Sequence, residues 1–250
     1  MKYERTMPCS GRMLGGAEKV TLDSPVRRTV CGGLAAFLLF SALGGRGQAE
    51  ELKYLALGDS FTIGELVAVD ERWPVQLVKQ LRGRGHLFAD PYIIATTGWR
   101  TDELIEATTG DSRIVDARFD LVSLLIGVND QYQGHDVERY GPLFRKIMKI
   151  ALAHSKNGER GLIVLSIPDW GATPFGKDKA QQVKKEIDAY NSVARAICKE
   201  MGVTFFNITE ISRGAAEDPA LIADDGLHPS GKMYSAWVSS ILDEVDARFK

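Results

Sequence analysis

The chain has 250 residues, 44% of them hydrophobic, enough to bury a sizeable core in one large domain or at most two. A formal net charge of −2 leaves no basic footprint for nucleic acid, which is therefore excluded as an expected partner. Three cysteines, with no Cys/His cluster at zinc spacing, speak against a disulfide framework and against a metal site.

The first fifty residues differ from the rest. Arg27 and Arg28 precede an apolar, small-residue run over 29–43, and Gly47-Gln48-Ala49 follows with small residues where a signal peptidase would inspect them. That is the order of an export signal. Residues 1–49 are therefore expected to be an export signal with an N-terminal extension, and 50–250 a single domain in the periplasm or outside the cell. The apolar run is shorter than the about 20 residues a spanning helix needs. No stable membrane insertion is expected after cleavage; an uncleaved N-terminal anchor is the alternative. Export would remove Cys9 and Cys31 and leave Cys198, which reads as a small buried hydrophobe on a helix.

Residues 54–57 form a short apolar run, as in a strand covered on both faces, and lead straight into Gly58-Asp59-Ser60. Trp73-Pro74 sets a helix start, with Val75, Leu77, Val78 and Leu81 on one face. Residues 92–95 are a second strand, ending at Thr96-Thr97-Gly98-Trp99-Arg100, and Thr101 to Leu104 opens a helix. Residues 121–126 are a third strand that exits into Gly127-Val128-Asn129-Asp130. A long amphipathic helix follows over 137–154. Strand 162–167, a loop holding Trp170, helix 180–201, strand 203–208, a loop over 221–231 and a last helix over 233–249 complete the chain. Strands alternate with helices throughout. The expected fold is α/β, a three-layer α/β/α sandwich around a mostly parallel sheet of about five strands.

In a parallel sheet all carboxyl ends lie on one edge, so the turns at Ser60, Gly98 and Asn129 should meet in space. Asp224-Asp225-Gly226-Leu227-His228-Pro229 lies just before the last helix. Asp225 and His228, three apart on a tight turn, can place a carboxylate on one imidazole nitrogen. Acyl transfer needs this set: a nucleophile, a base, an orienting carboxylate and oxyanion donors. The other reading of Ser60 is an ordinary strand-to-helix turn with the serine as N-cap.

Gly58-Asp59-Ser60, Gly98, Gly127-x-Asn129-Asp130 and Asp225-x-x-His228-Pro229 resemble the four blocks of the SGNH (GDSL-type) hydrolase family, in the family's order and across essentially the whole 50–250 segment. The resemblance implies a serine esterase of flavodoxin-like fold with no cofactor. Ser60 would be the nucleophile, His228 the base and Asp225 the residue orienting it. The Ser60 and Gly98 backbone N–H groups and the Asn129 amide would bind the oxyanion. The substrate would be a small-molecule, lipid or carbohydrate ester, by lipase-like, lysophospholipase-like or deacetylase-like chemistry. The same residues would serve an acyltransferase, and the same fold a non-catalytic binding protein. A metal-dependent phosphoesterase would need His and Asp ligand clusters that the sequence lacks.

Trp99 departs from the small or polar residue that follows this glycine in many relatives; it is expected either to line the acyl pocket or to pack in the core. Tyr132 and Trp170 are placed near the carboxyl edge as candidate substrate contacts. His86 and His154 read as solvated residues; His135, close after the Asn129 turn, reads as a surface residue, with the edge of the site as the alternative. Asp59 and Asp130 read as local turn holders. The Lys177 to Lys185 cluster reads as a solvated helix face.

Overall fold

Tyr54–Gly58 (β1) and Leu121–Leu125 (β3) are buried at every position, as the central strands of a sheet covered on both faces must be. In this computed structural model, which describes residues 50–250, they join Tyr92–Ala95 (β2), Leu162–Leu165 (β4) and Thr204–Phe206 (β5) in one sheet. The strand order is β2-β1-β3-β4-β5 and every pairing is parallel. Gly58 lies opposite both Ala95 and Leu125, so β1, β2 and β3 end level. The turns that follow them therefore leave the sheet side by side. Tyr54 and Ser123 join β1 to β3 a second time, through a buried side-chain hydrogen bond of 2.7 Å.

Helices Trp73–Gly83 (α2) and Gly231–Asp246 (α8) pack on each other as one layer. Thr101–Gly110 (α3), Val137–His154 (α5) and Ala180–Glu200 (α6) form the other. Fully buried aromatic rings fill both layers: Trp73, Tyr234 and Trp237 in the first, Tyr140 and Phe144 in the second. Ser230 Oγ accepts from Met233 N and caps the start of α8, so the last helix begins at Gly231 and ends at Asp246 rather than covering 233–249. Cys198 is buried on α6, and that burial pushes its thiol up to about 12.

Several elements differ from expectation. β4 stops at Leu165 because Ser166 turns to other work: its Oγ accepts from the N–H groups of Ile208 and Thr209, tying the end of β4 to the segment after β5. β5 is three residues long. Three short helices were not delimited by the sequence: Ser60–Ile63 (α1), Val128–Tyr132 (α4) and Thr209–Arg213 (α7). His86 and His154 are not surface residues. His86 Nε2 lies 2.7 Å from Asp246 Oδ1, and buried His154 contacts the Ala117 carbonyl at 3.1 Å. His135 is half-buried, its Nδ1 3.9 Å from Asp130. The expected export signal lies outside the described residues. Among the described residues, no helix is long and apolar enough to cross a membrane.

Candidate active site

β1 turns into α1 through Gly58, where a Cβ would fall 2.1 Å from Thr62 Oγ1 and 2.6 Å from the Leu125 carbonyl; no other residue fits that crossing. The N-cap of α1 is Asp59, whose Oδ1 accepts from Phe61 N at 3.0 Å. The cap reading of Ser60 is thereby displaced by one residue. The serine is left as the first residue of the helix, with its hydroxyl not spent on capping. Asp59 is wholly buried and its second oxygen has no partner among the described residues; burial, with Asp130 nearby, pushes its carboxyl up to about 8 against the Phe61 N–H.

Ser60, Gly98, Asn129 and His228 meet in one cleft of about 180 Å³, although the sequence separates its ends by 168 positions. Its walls are largely apolar: Phe61, Val128, Tyr132, Trp170 and Leu227. His228 stands on a loop closed by an antiparallel bridge between Ile222 and Pro229 and by a 2.7 Å bond from Ala223 N to the His228 carbonyl. Asp225 Oδ1 accepts from the N–H groups of Leu227 and His228 at 2.9 and 3.0 Å, and Oδ2 lies 2.6 Å from His228 Nδ1. Partial burial raises the Asp225 carboxyl, but the His228 ring and the two N–H groups outweigh it and hold the group below its ordinary range. With Nδ1 engaged, Nε2 is the free ring nitrogen. The ring itself rests against Phe61, 5.2 Å between centroids.

Gly98 takes φ +85°, a left-handed conformation that side chains disfavour, in a turn closed by Trp99 N on the Thr96 carbonyl. Neither the Ser60 N–H nor the Gly98 N–H has an acceptor among the described residues. The Asn129 amide donates one hydrogen to the Trp99 carbonyl at 3.0 Å, and its nitrogen carries a second. The Trp99 ring is partly buried and packs against the core, and the cleft is lined by other residues.

Asp130 is no local turn holder. Its Oδ2 accepts from Thr101 N at 2.9 Å and Thr101 Oγ1 at 2.8 Å, joining the turn after β3 to the start of α3. Trp170 and Tyr132 both line the cleft, their rings 5.3 Å apart and edge to face. Phe175 extends the aromatic group, 5.9 Å from Trp170 and 52% exposed. The Trp170 indole N–H donates to Gln131 Oε1 at 2.7 Å. Sequence reasoning missed Phe61, Leu227 and Gln131, which carry no motif, and the reach of Asp130, whose partner lies 29 residues upstream. A larger hollow of about 640 Å³ lies behind the Trp170 loop, between Pro174, Lys177, Arg213 and Pro219, and contains none of these groups. Among the described residues no three His, Cys, Asp or Glu side chains converge to hold a metal.

A serine, a histidine held by an aspartate and N–H donors without acceptors among the described residues gather on the carboxyl edge of a parallel α/β sheet, where such sheets bind ligands. Comparison with known proteins gives the family. The profile described as "GDSL-like Lipase/Acylhydrolase family" matches residues 56–236. The chain belongs to this family and is a carboxylic ester hydrolase by class. Solved structures share the fold. TesA has a TM-score of 0.63 at 15% identity, covering 78% of this chain and 99% of its own. The psychrotrophic esterase EstA from Pseudoalteromonas sp. has a TM-score of 0.59 at 17% identity, covering 80% of this chain and 99% of its own. Axe2, an acetylxylan esterase from Geobacillus stearothermophilus, has a TM-score of 0.59 at 20% identity, with 78% and 94% covered. A search of curated proteins finds no match.

Proposed function

We propose that the protein hydrolyses uncharged carboxylic esters through an acyl-enzyme on Ser60. His228 Nε2 removes the hydroxyl proton as Oγ attacks the ester carbonyl, and then returns it to the leaving alcohol oxygen. Asp225 holds the imidazole in the tautomer that leaves Nε2 unprotonated and stabilises the imidazolium that forms. The Ser60 N–H, the Gly98 N–H and the second hydrogen of the Asn129 amide receive the oxyanion. Water, deprotonated by the same nitrogen, then releases the acid. The observation that carries this reading is the meeting, in one cleft, of a serine, a histidine whose other nitrogen is occupied by a carboxylate, and two N–H groups with no acceptor.

The cleft also supports a substrate class. Its volume of about 180 Å³ corresponds to roughly six water-sized groups. Its lining contains no Asp, Glu, Lys or Arg. Short, apolar acyl groups fit this space, with Tyr132 and Trp170 in contact with them. The N-terminal pattern of 1–49 supports action in the periplasm or outside the cell.

A p-nitrophenyl ester series from acetate to palmitate, run in parallel on the wild type and Ser60→Ala, tests the reading. Turnover is expected to peak at short chains and to fall by about 10⁴-fold or more in the variant. A Ser60→Ala enzyme with near-full turnover would remove Ser60 from its role.

A further inference from the structure

Helix α4 is only five residues long, yet three of its consecutive side chains hold different parts of the cleft. Asn129 binds the Trp99 carbonyl at 3.0 Å. Asp130, 1% exposed, binds both the N–H and the hydroxyl of Thr101. These two residues grip the segment 99–101 immediately after Gly98, the glycine whose positive φ aims its N–H away from any internal acceptor. Gln131 points the other way. Its carbonyl takes the Trp170 N–H at 2.7 Å, and its own amide is fixed by Glu186 at 2.6 Å, which Gln182 holds in turn at 2.9 Å. The two grips share no partner. One side fixes the wall that carries an oxyanion donor, and the other fixes the wall that carries an aromatic ring.

We propose that Asp130 and Gln131 are positioning residues that divide the cleft between them: Asp130 sets the rate of the chemical step through Gly98, and Gln131 sets acyl-chain selectivity through Trp170. The proposal rests on the ester-hydrolase reading above. Without the Asp130 carboxylate, the buried Thr101 donors lose their acceptor and the Gly98 turn is free to drift. A donor displaced by about 1 Å loses much of its value in the transition state and little in ground-state binding. Without Gln131 the Trp170 indole N–H loses its acceptor, the ring is held by aromatic packing alone, and the space for the acyl chain changes. That affects esters differently according to chain length.

The test is steady-state kinetics on p-nitrophenyl acetate and p-nitrophenyl hexanoate with Asp130→Ala, Asp130→Asn, Thr101→Val and Gln131→Leu. Asp130→Ala is expected to lower kcat at least tenfold on both esters in the same proportion, with KM within about twofold. Asp130→Asn keeps an acceptor oxygen and should recover most of that loss. Thr101→Val removes one of the two bonds and should show a smaller drop of the same kind, which serves if Asp130→Ala does not fold. Gln131→Leu is expected to shift the hexanoate-to-acetate ratio of kcat/KM at least fivefold. Asp130 and Thr101 variants that leave kcat unchanged would overturn the division. So would a Gln131→Leu enzyme with an unchanged ratio, or Asp130 and Thr101 variants that shift the hexanoate-to-acetate ratio. Wild-type enzyme with no Ser60-dependent turnover would instead overturn the ester-hydrolase reading beneath it.

Discussion

Asp59 and Ser60 are neighbours with opposite duties. The Asp59 carboxyl caps α1 and the Ser60 hydroxyl is left for the cleft, although serine is an equally good cap. The same economy appears at Asp225, whose two oxygens do different things. One binds the backbone of its own turn, and the other holds the His228 ring at 2.6 Å. Asp225→Asn keeps the first function and spoils the second, because an amide nitrogen facing Nδ1 favours the wrong imidazole tautomer. It should lower kcat by about 10²–10⁴-fold while leaving the melting temperature nearly unchanged. Kinetics beside a thermal melt of the same sample would check this. Equal loss of activity and of folded protein would show a structural role only.

At the scale of elements, the α2–α8 seam carries much of the burial. Trp237 and Trp73 are wholly buried, yet both indole N–H groups lack a partner among the described residues. A buried donor without an acceptor costs about 1–3 kcal/mol against the large gain from the ring. Trp237→Phe, which keeps an aromatic body and deletes the orphan donor, should therefore be much milder than Trp237→Ala. The alanine variant should lose about 3–5 kcal/mol. Urea unfolding of the two variants measures the difference, and equal losses would mean that the N–H is satisfied in solution. The seam matters to the site because α8 begins three residues after His228. On the opposite layer, a buried polar network braces the Trp170 loop. Asn191 bonds both the N–H and the carbonyl of Ile167, and Arg213 bridges Asp169 and Asp188 at 2.9 and 2.6 Å.

For the whole molecule, global stability should carry the signature of Asp59. Its carboxyl rises from an ordinary 3.8 to about 8 on folding, so the folded chain holds a proton that the unfolded chain releases in that window. Stability from this group is full below pH 3.8 and is lost as pH climbs through 8. Asp59→Asn mimics the protonated form and should flatten the decline between about pH 4 and pH 8, by at most about 1.4 kcal/mol per pH unit. Denaturant midpoints of both proteins across that range would show it; parallel curves would place the proton elsewhere. Asp225, held low, acts in the opposite sense and adds stability that disappears in acid.

The fold was largely legible in the sequence at this scale. Amphipathic repeats long enough to count placed α5 at 137–154, and apolar runs placed β2 at 92–95. What stayed hidden was either too short or too distant. α1 and α4, of four and five residues, are too short to show a helical period. His86 reads as solvated until Asp246 is brought to it across 160 positions. Asp130 reads as a turn residue until Thr101 folds against it. The ends of β1, β2 and β3 carried the site's polar residues in view, because a level sheet edge turns distant sequence blocks into neighbours. The Trp99 ring could not be placed, since nothing local decides which side of a turn an aromatic takes.

The most direct measurement is covalent labelling with a fluorophosphonate ester, followed by peptide mass spectrometry of the wild type, Ser60→Ala and His228→Ala. Ester hydrolysis through an acyl-enzyme predicts a single stoichiometric adduct on the peptide containing Ser60. It should be absent from Ser60→Ala and formed far more slowly in His228→Ala. An adduct on another residue, or full esterase activity with Ser60 unlabelled, would contradict the assignment of the nucleophile.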